Sequence, residues 1–142
     1  MVLPIGDANP TRRFPFVTLA LIAGNVLVFF AFNLQLDGCA YARFVYRWAA
    51  IPRELLTFDP LPLGTVSGGP GCDLDPAFAG KSVLLSTLSS MFLHGGWAHL
   101  GFNMLFLWVF GNNVEDRLGH VRYLLYYVAG GAVSAYAFAL LH

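Results

Sequence analysis

Charged side chains are scarce in this sequence. Only 11% of its 142 residues are Asp, Glu, Lys or Arg, whereas hydrophobic residues make up 57%; ordinary soluble domains are roughly 25% charged. Eight basic residues balance eight acidic ones, and the basic residues are scattered, so nothing indicates a nucleic-acid partner. The composition predicts an integral membrane protein, and the length predicts a single domain, 1–142.

Cysteine is also scarce, and its two residues leave two alternatives open. Cys39 and Cys72 both lie in the long connection between the first two apolar segments. If that connection faces an oxidising compartment, the two could pair and close a loop of about thirty residues, which would stabilise the protein by ~3 kcal/mol. Two free thiols are the equally weighted alternative.

Three apolar segments predict three membrane-spanning helices, since about 20 residues cross the hydrocarbon. They lie at about 14–32, 97–113 and 122–141. The predicted fold class is therefore an all-α, polytopic membrane protein. Asn25 in the first segment is expected to hydrogen-bond to a neighbouring helix. Small residues in the third segment, spaced four apart, would allow close approach of another helix. The small pairs are Gly130 with Ser134 and Gly131 with Ala135.

The first loop, 33–90, is long and is predicted to contain short amphipathic helices. One of them is indicated by apolar residues at i, i+3, i+4 and i+7; the pattern fits equally a helix lying among lipid headgroups and one packed on the protein. Residues 58–76 are rich in Pro and Gly and are predicted to be irregular and exposed. The apolar positions of the predicted amphipathic helix are Tyr41, Phe44, Val45 and Trp48.

The distribution of arginine favours a cytoplasmic N-terminus. Four arginines flank the predicted spans on one side, whereas the basic residues on the other side are diluted over the long loop, where they carry less topological weight. The four are Arg12, Arg13, Arg117 and Arg122.

Three polar residues interrupt the apolar run 92–110, namely His94, His99 and Asn103. Such residues are unfavourable in hydrocarbon and by default indicate function. His99 and Asn103 lie four apart and so share a helix face. Gly95-Gly96 predicts a turn, which places His94 at the end of the preceding loop.

Three chemistries compete for these residues. A metal site is disfavoured, because the histidines lie five apart, no carboxylate accompanies them, and His120 and His142 are remote in sequence. A purely structural pair, linking helices by hydrogen bonds of ~0.6–2 kcal/mol each, is the plain alternative. The third is stabilisation of the oxyanion in acyl transfer, for which His and Asn side chains are suitable donors.

A resemblance favours the third chemistry. The run from Met91 through His94-Gly-Gly-Trp-Ala-His99-Leu-Gly-Phe-Asn103 to the Val-Glu115-Asp-Arg117-Leu-Gly turn resembles the rhomboid intramembrane serine proteases, as does the N-terminal Asn-Pro-Thr-Arg-Arg-Phe-Pro run. The likeness covers the chain ends and about residues 88–131. Position 85–86, where some rhomboids carry Trp-Arg, is Leu-Ser here, so the loop's membrane anchoring is not implied.

The resemblance implies roles for named residues. His99 and Asn103 would help to hold the oxyanion, His94 would order the mouth of the active site, and Glu115 and Arg117 would tie the turn after the second helix to its neighbours. No metal or cofactor would be needed. The partners would be the lipid bilayer and transmembrane segments of substrate proteins, and the location would be the bacterial inner (plasma) membrane.

The nucleophile and base of that family are absent from the 142 residues. Rhomboids carry a Gly-x-Ser-Gly serine at the start of a fourth membrane helix and a histidine on a sixth. No serine here has that setting: Ser67 follows Thr-Val in a Pro/Gly-rich loop, Ser134 lies within a span, and Ser86, Ser89 and Ser90 lie in the approach to His94 without such a turn.

The chain is therefore expected to be a truncated rhomboid, inactive alone. Its inward residues Asn25, His99 and Asn103 would be open to lipid unless a complementing membrane chain covered them. The alternative function is a non-catalytic, rhomboid-like module that binds transmembrane helices of client proteins.

Overall fold

The structure, a computed structural model, describes residues 12–36 and 38–141. Within those ranges it is all-helical, with no strand, which confirms the predicted all-α class. The helices are α1 Phe16–Val28, α2 Gly38–Trp48, α3 Pro52–Thr57, α4 Asp75–Phe78, α5 Val83–Ser90, α6 Trp97–Phe106, α7 Asn112–Leu118 and α8 His120–Leu141.

Two π-helical turns extend this framework. One, Phe29–Asn33, continues α1 towards the first loop. The other, Leu107–Gly111, joins α6 to α7 without a break. Single π turns inside helices often lie near functional sites, because each adds a residue and rotates the following side chains.

Two helices in the described part of the chain are long and apolar enough to cross a membrane. They are Phe16–Asn33, which is α1 with its π turn, and α8, His120–Leu141. They coincide within two residues with the predicted spans at 14–32 and 122–141. The segment 97–113 is helical but is not one of these two, because histidine and asparagine side chains interrupt its apolar sequence; its crossing of the membrane stays a prediction.

The first loop is folded around a disulfide and a small apolar cluster. Cys39 at the start of α2 is bonded to Cys72, which decides between the two alternatives above. Leu61 and Leu74 are buried with Ala77 and Phe78. The prediction that 58–76 is irregular and exposed was therefore wrong at these two leucines, because α2 and the disulfide hold this segment against the protein.

A buried ion pair joins the helices of this loop. The Lys81 Nζ lies 2.6 Å from Glu54 Oε2 and also donates to the Tyr46 and Ala49 carbonyls at the end of α2, at 2.7 and 2.9 Å. Glu54 Oε1 accepts from the Leu61 amide at 2.9 Å. Buried charges are tolerated when their hydrogen bonds are satisfied in this way.

The Asn25 side chain differs from its prediction in its exposure and in its hydrogen-bond partner. Its side chain is 1% exposed, so it is not open to lipid. Its Nδ2 donates to the Leu21 carbonyl of α1 itself, at 2.7 Å, and not to a neighbouring helix. An amide side chain can satisfy a donor on its own helix by bonding to the i−4 carbonyl.

Candidate active site

The turn Gly95-Gly96 sets His94 apart from α6. The helix begins at Trp97, so His99 lies in its first turn and Asn103 one turn further along. His94 is the last residue before the glycines and is 5% exposed. The rings of His94 and His99 nevertheless meet, with centroids 5.1 Å apart and an edge-on interplanar angle of 61°.

One hydrogen bond orients the His94 ring, and burial favours its neutral form. Burial lowers the pKa of its imidazole below the ordinary value of 6.5, the neighbouring His99 acts in the same direction, and a hydrogen bond to Phe92 partly opposes them. That bond, 3.3 Å from Nδ1 to the Phe92 carbonyl, requires Nδ1 to donate because a carbonyl only accepts. The Nε2 of the neutral ring is then the acceptor.

His94, His99 and Asn103 line one groove of about 1130 Å³. The groove runs between α6 and α8, and Asn25 and Ser134 also border it. His99 and Asn103 are exposed in it. The two side chains predicted to act together therefore share a concave surface, as their spacing of four residues indicated.

No metal centre is formed in the described ranges, where no three His, Cys, Asp or Glu side chains come together. His120 is occupied elsewhere, with its Nδ1 2.6 Å from Glu115 Oε1. The histidine pair of the groove therefore gains no third ligand from the described residues.

The serines near His94 are engaged with the backbone. The hydroxyls of Ser86, Ser89 and Ser90 donate to the carbonyls of Val83, Trp48 and Thr87 at 2.7–2.8 Å. No hydrogen bond joins a described serine to a histidine. The groove thus contains His and Asn side chains that can donate hydrogen bonds, and none of the described serines is paired with a histidine.

Asn33 is a residue of the site that the sequence analysis missed. At the end of the first π turn, its Nδ2 donates to the His94 carbonyl at 2.7 Å and to the Tyr41 hydroxyl at 3.1 Å. The available signal was a polar amide directly after a predicted span, at the first residue of the predicted loop.

Comparison with known proteins agrees with the resemblance. Residues 81–142 match the Rhomboid domain. A 50-residue segment is 46% identical to the rhomboid protease GluP of Bacillus subtilis (strain 168), covering 35% of this chain and 10% of that protein. A 78-residue segment is 36% identical to rhomboid-type serine protease 2 of Emericella nidulans, covering 55% of this chain and 14% of that protein.

The chain thus aligns with only a small part of each relative, and no solved structure matches it significantly. The domain match contains α5 to α8, and with them His94, His99 and Asn103. The domain match and these two relatives show that the part of the chain from residue 81 onwards is similar to rhomboid proteases.

Proposed function

We propose that this chain supplies the oxyanion-binding side of an intramembrane serine endopeptidase that cleaves transmembrane proteins. The observation that carries the proposal is the convergence of His94, His99 and Asn103 on one groove. Donors fixed on a rigid helix need no reorganisation as negative charge develops, which is the basis of oxyanion stabilisation.

Each polar residue has a distinct role in this proposal. A ring N–H of His99 and the Asn103 side-chain amide donate to the tetrahedral oxygen. His94, neutral and edge-on to His99, orders the ring beside it. The serine nucleophile and its base come from a membrane segment outside these 142 residues, seated across the groove from α6.

The proposal includes a membrane arrangement. The continuous helix formed by α6 and the π turn after it crosses the bilayer as a third span. The first loop lies on the outer side of a bacterial inner membrane. The N-terminus and the α7–α8 turn then lie in the cytoplasm, where four arginines are favoured.

The test reconstitutes the chain in vesicles with a complementing membrane chain that carries a Gly-x-Ser-Gly turn and a base histidine. Asn103→Ala is expected to lower kcat by about 10²–10³, as for removal of one oxyanion donor elsewhere. Asn112→Ala is the matched control. Asn112 begins α7 directly after the π turn, its side-chain Oδ1 accepts from the backbone N–H of Asn113, and it does not line the groove. Equal activity of Asn103→Ala and the unchanged chain would contradict the proposal.

A second measurement tests the chain alone. Its 142 residues contain no Gly-x-Ser-Gly, so we expect no fluorophosphonate adduct on them. A covalent adduct on any serine of this chain would show that the nucleophile lies here.

A client-binding module is the second candidate. It is favoured by the small residues Gly130 and Ser134, which are exposed and border the same groove, since small faces let helices approach closely. In this case Asn103→Ala would leave cross-linking to a client helix unchanged and no cleavage would be detected in the complemented vesicles.

A further inference from the structure

The π turn at the end of α1 contacts both sides of the Gly95-Gly96 turn. On one side, Asn33 bonds to the His94 carbonyl. On the other, the rings of Phe29 and Phe30 lie edge-on to Trp97, with centroids 4.9 and 5.6 Å away. Two adjacent glycines have wide backbone freedom, so contacts at both ends are what restrict this turn.

Both N–H groups of the Asn33 amide are used. One bond goes to the His94 carbonyl at 2.7 Å and the other to the Tyr41 hydroxyl of α2 at 3.1 Å. An amide NH₂ has two donors, so Asn33 links the histidine loop to α2 with no donor left over.

α2 is itself firmly placed. Its first turn is bonded through Cys39 to Cys72, and its C-terminal carbonyls accept from Lys81. Phe44 stacks on Phe32 of the π turn, at 4.4 Å and 11°. The Tyr41 hydroxyl is therefore a fixed reference point for the Asn33 amide.

The geometry of the π turn explains why one segment reaches these neighbours. Phe29 and Phe30 face α6, Phe32 faces α2, and Asn33 reaches the loop between them. An α-helical turn holds fewer residues than a π turn, and the extra residue shifts Asn33 around the helix axis relative to the phenylalanines.

We propose that the π turn Phe29–Asn33 is a clamp for the active-site loop, in which Asn33 is a positioning residue that holds His94 against His99. This inference rests on the proposed function for its link to catalysis. The clamp itself is a property of the described contacts and can be tested without any proteolysis.

The first test measures the reactivity of individual histidines in the 142-residue chain. Diethyl pyrocarbonate modifies accessible neutral imidazoles, and fragment-ion mass spectrometry separates His94, His99 and His120. His94, buried, should react slowly, and Asn33→Leu should raise its rate about tenfold by letting the loop open locally. His120, which lies at the start of α8 and is bonded to Glu115, should keep its rate.

Gln35→Leu is the matched control, because this amide lies two residues further on, is exposed and makes no hydrogen bond among the described residues. Tyr41→Phe should raise the His94 rate less than Asn33→Leu, since the bond to the His94 carbonyl remains. An unchanged His94 rate in Asn33→Leu would overturn the clamp. If His94 and His120 both react faster in Asn33→Leu, the measurement is repeated on the milder variant Asn33→Ser. A faster reaction of both histidines in Asn33→Ser would also overturn the clamp.

The second test uses the complemented vesicles. Asn33→Leu should lower kcat by about ten- to a hundredfold with little change in KM, the scale expected for a misplaced reacting group. A raised His94 rate with unchanged kcat would overturn the catalytic role of the clamp. The effect of Asn103→Ala decides the proposed function separately, so failures of the two are distinguishable.

Discussion

Glu115 is a single carboxylate that joins two helix ends. It is fully buried and accepts from the amides of Val17 and Thr18 at 2.9 and 2.8 Å, from the Thr18 hydroxyl at 2.7 Å, and from His120 at 2.6 Å. The first amides of a helix lack partners within it, so Glu115 caps α1 from α7. Glu115 therefore makes the contacts to neighbouring elements that the resemblance implies for it. Arg117, for which the resemblance implies the same role, has an exposed side chain.

Replacing this carboxylate should destabilise the protein strongly. We expect Glu115→Gln to lower the free energy of unfolding by about 2–3 kcal/mol, because hydrogen bonds to a charged group are lost in a buried site. Unfolding in detergent micelles measures the change. Asp116→Asn is the control: Asp116 accepts from the Arg12 and Arg13 amides at an exposed site, where water can replace the lost bonds, so we expect roughly 0.5–1 kcal/mol. Equal losses in both variants would contradict the capping role.

The same carboxylate gives the stability a defined pH dependence. Burial alone would raise the pKa of Glu115, but the hydrogen bonds from Thr18, Val17 and His120 outweigh it and lower the pKa below the ordinary 4.5. The unfolded chain therefore binds this proton more readily, and the stabilisation is present above pH 4.5 and declines as the pH falls through the folded-state pKa. Glu115→Gln should remove this component of the acid dependence.

The disulfide links two elements of the first loop. It joins residues 33 apart in sequence, from the start of α2 to the segment before α4. The chain has only two cysteines, so a reductant changes no other bond in it.

Reduction should loosen this loop selectively. We expect a loss of about 3 kcal/mol in the free energy of unfolding, because the open loop regains chain entropy in the unfolded state. Limited proteolysis should then cut residues 58–76 faster while α8 keeps its protection. A variant with both Cys39→Ser and Cys72→Ser should show no response to reductant. Equal cleavage rates with and without reductant would show that α2 and the buried leucines hold the loop unaided.

At the scale of the whole molecule, α8 packs on the rest of the chain at one of its two adjacent glycines and not at the other. A Cβ at Gly131 would lie 2.6 Å from the Met91 side chain, whereas one at Gly130 would meet nothing within 4 Å. Ala135, one turn beyond Gly131, packs against the cluster of Leu55 and Val83. All four small residues line the groove, but Gly131 and Ala135 also pack within the chain, whereas Gly130 and Ser134 are exposed.

The two glycines should therefore separate folding from assembly. Gly130→Leu is expected to leave the free energy of unfolding of this chain within about 1 kcal/mol, while weakening association with a complementing chain or client helix about tenfold through overpacking. Gly131→Leu should lower the stability of the chain itself by about 1–3 kcal/mol. Association can be measured by energy transfer in vesicles. Unchanged association of Gly130→Leu would show that nothing docks against this face.

The sequence by itself determined the all-α class, the positions of two helices that are long and apolar enough to cross a membrane, and the common face of His99 and Asn103. Apolar length and a spacing of four residues are local properties, so they can be recognised without a fold. The buried leucines at 61 and 74 were not foreseen, because Pro and Gly indicate irregular backbone but not what packs over it.

Only the tertiary structure decided which distant groups meet. Asn33 and His94 are 61 residues apart, Thr18 and Glu115 are 97 apart, and nothing in either local sequence specifies its partner. Such contacts form because helix packing brings polar groups together away from water, where an unpaired one would be strongly unfavourable.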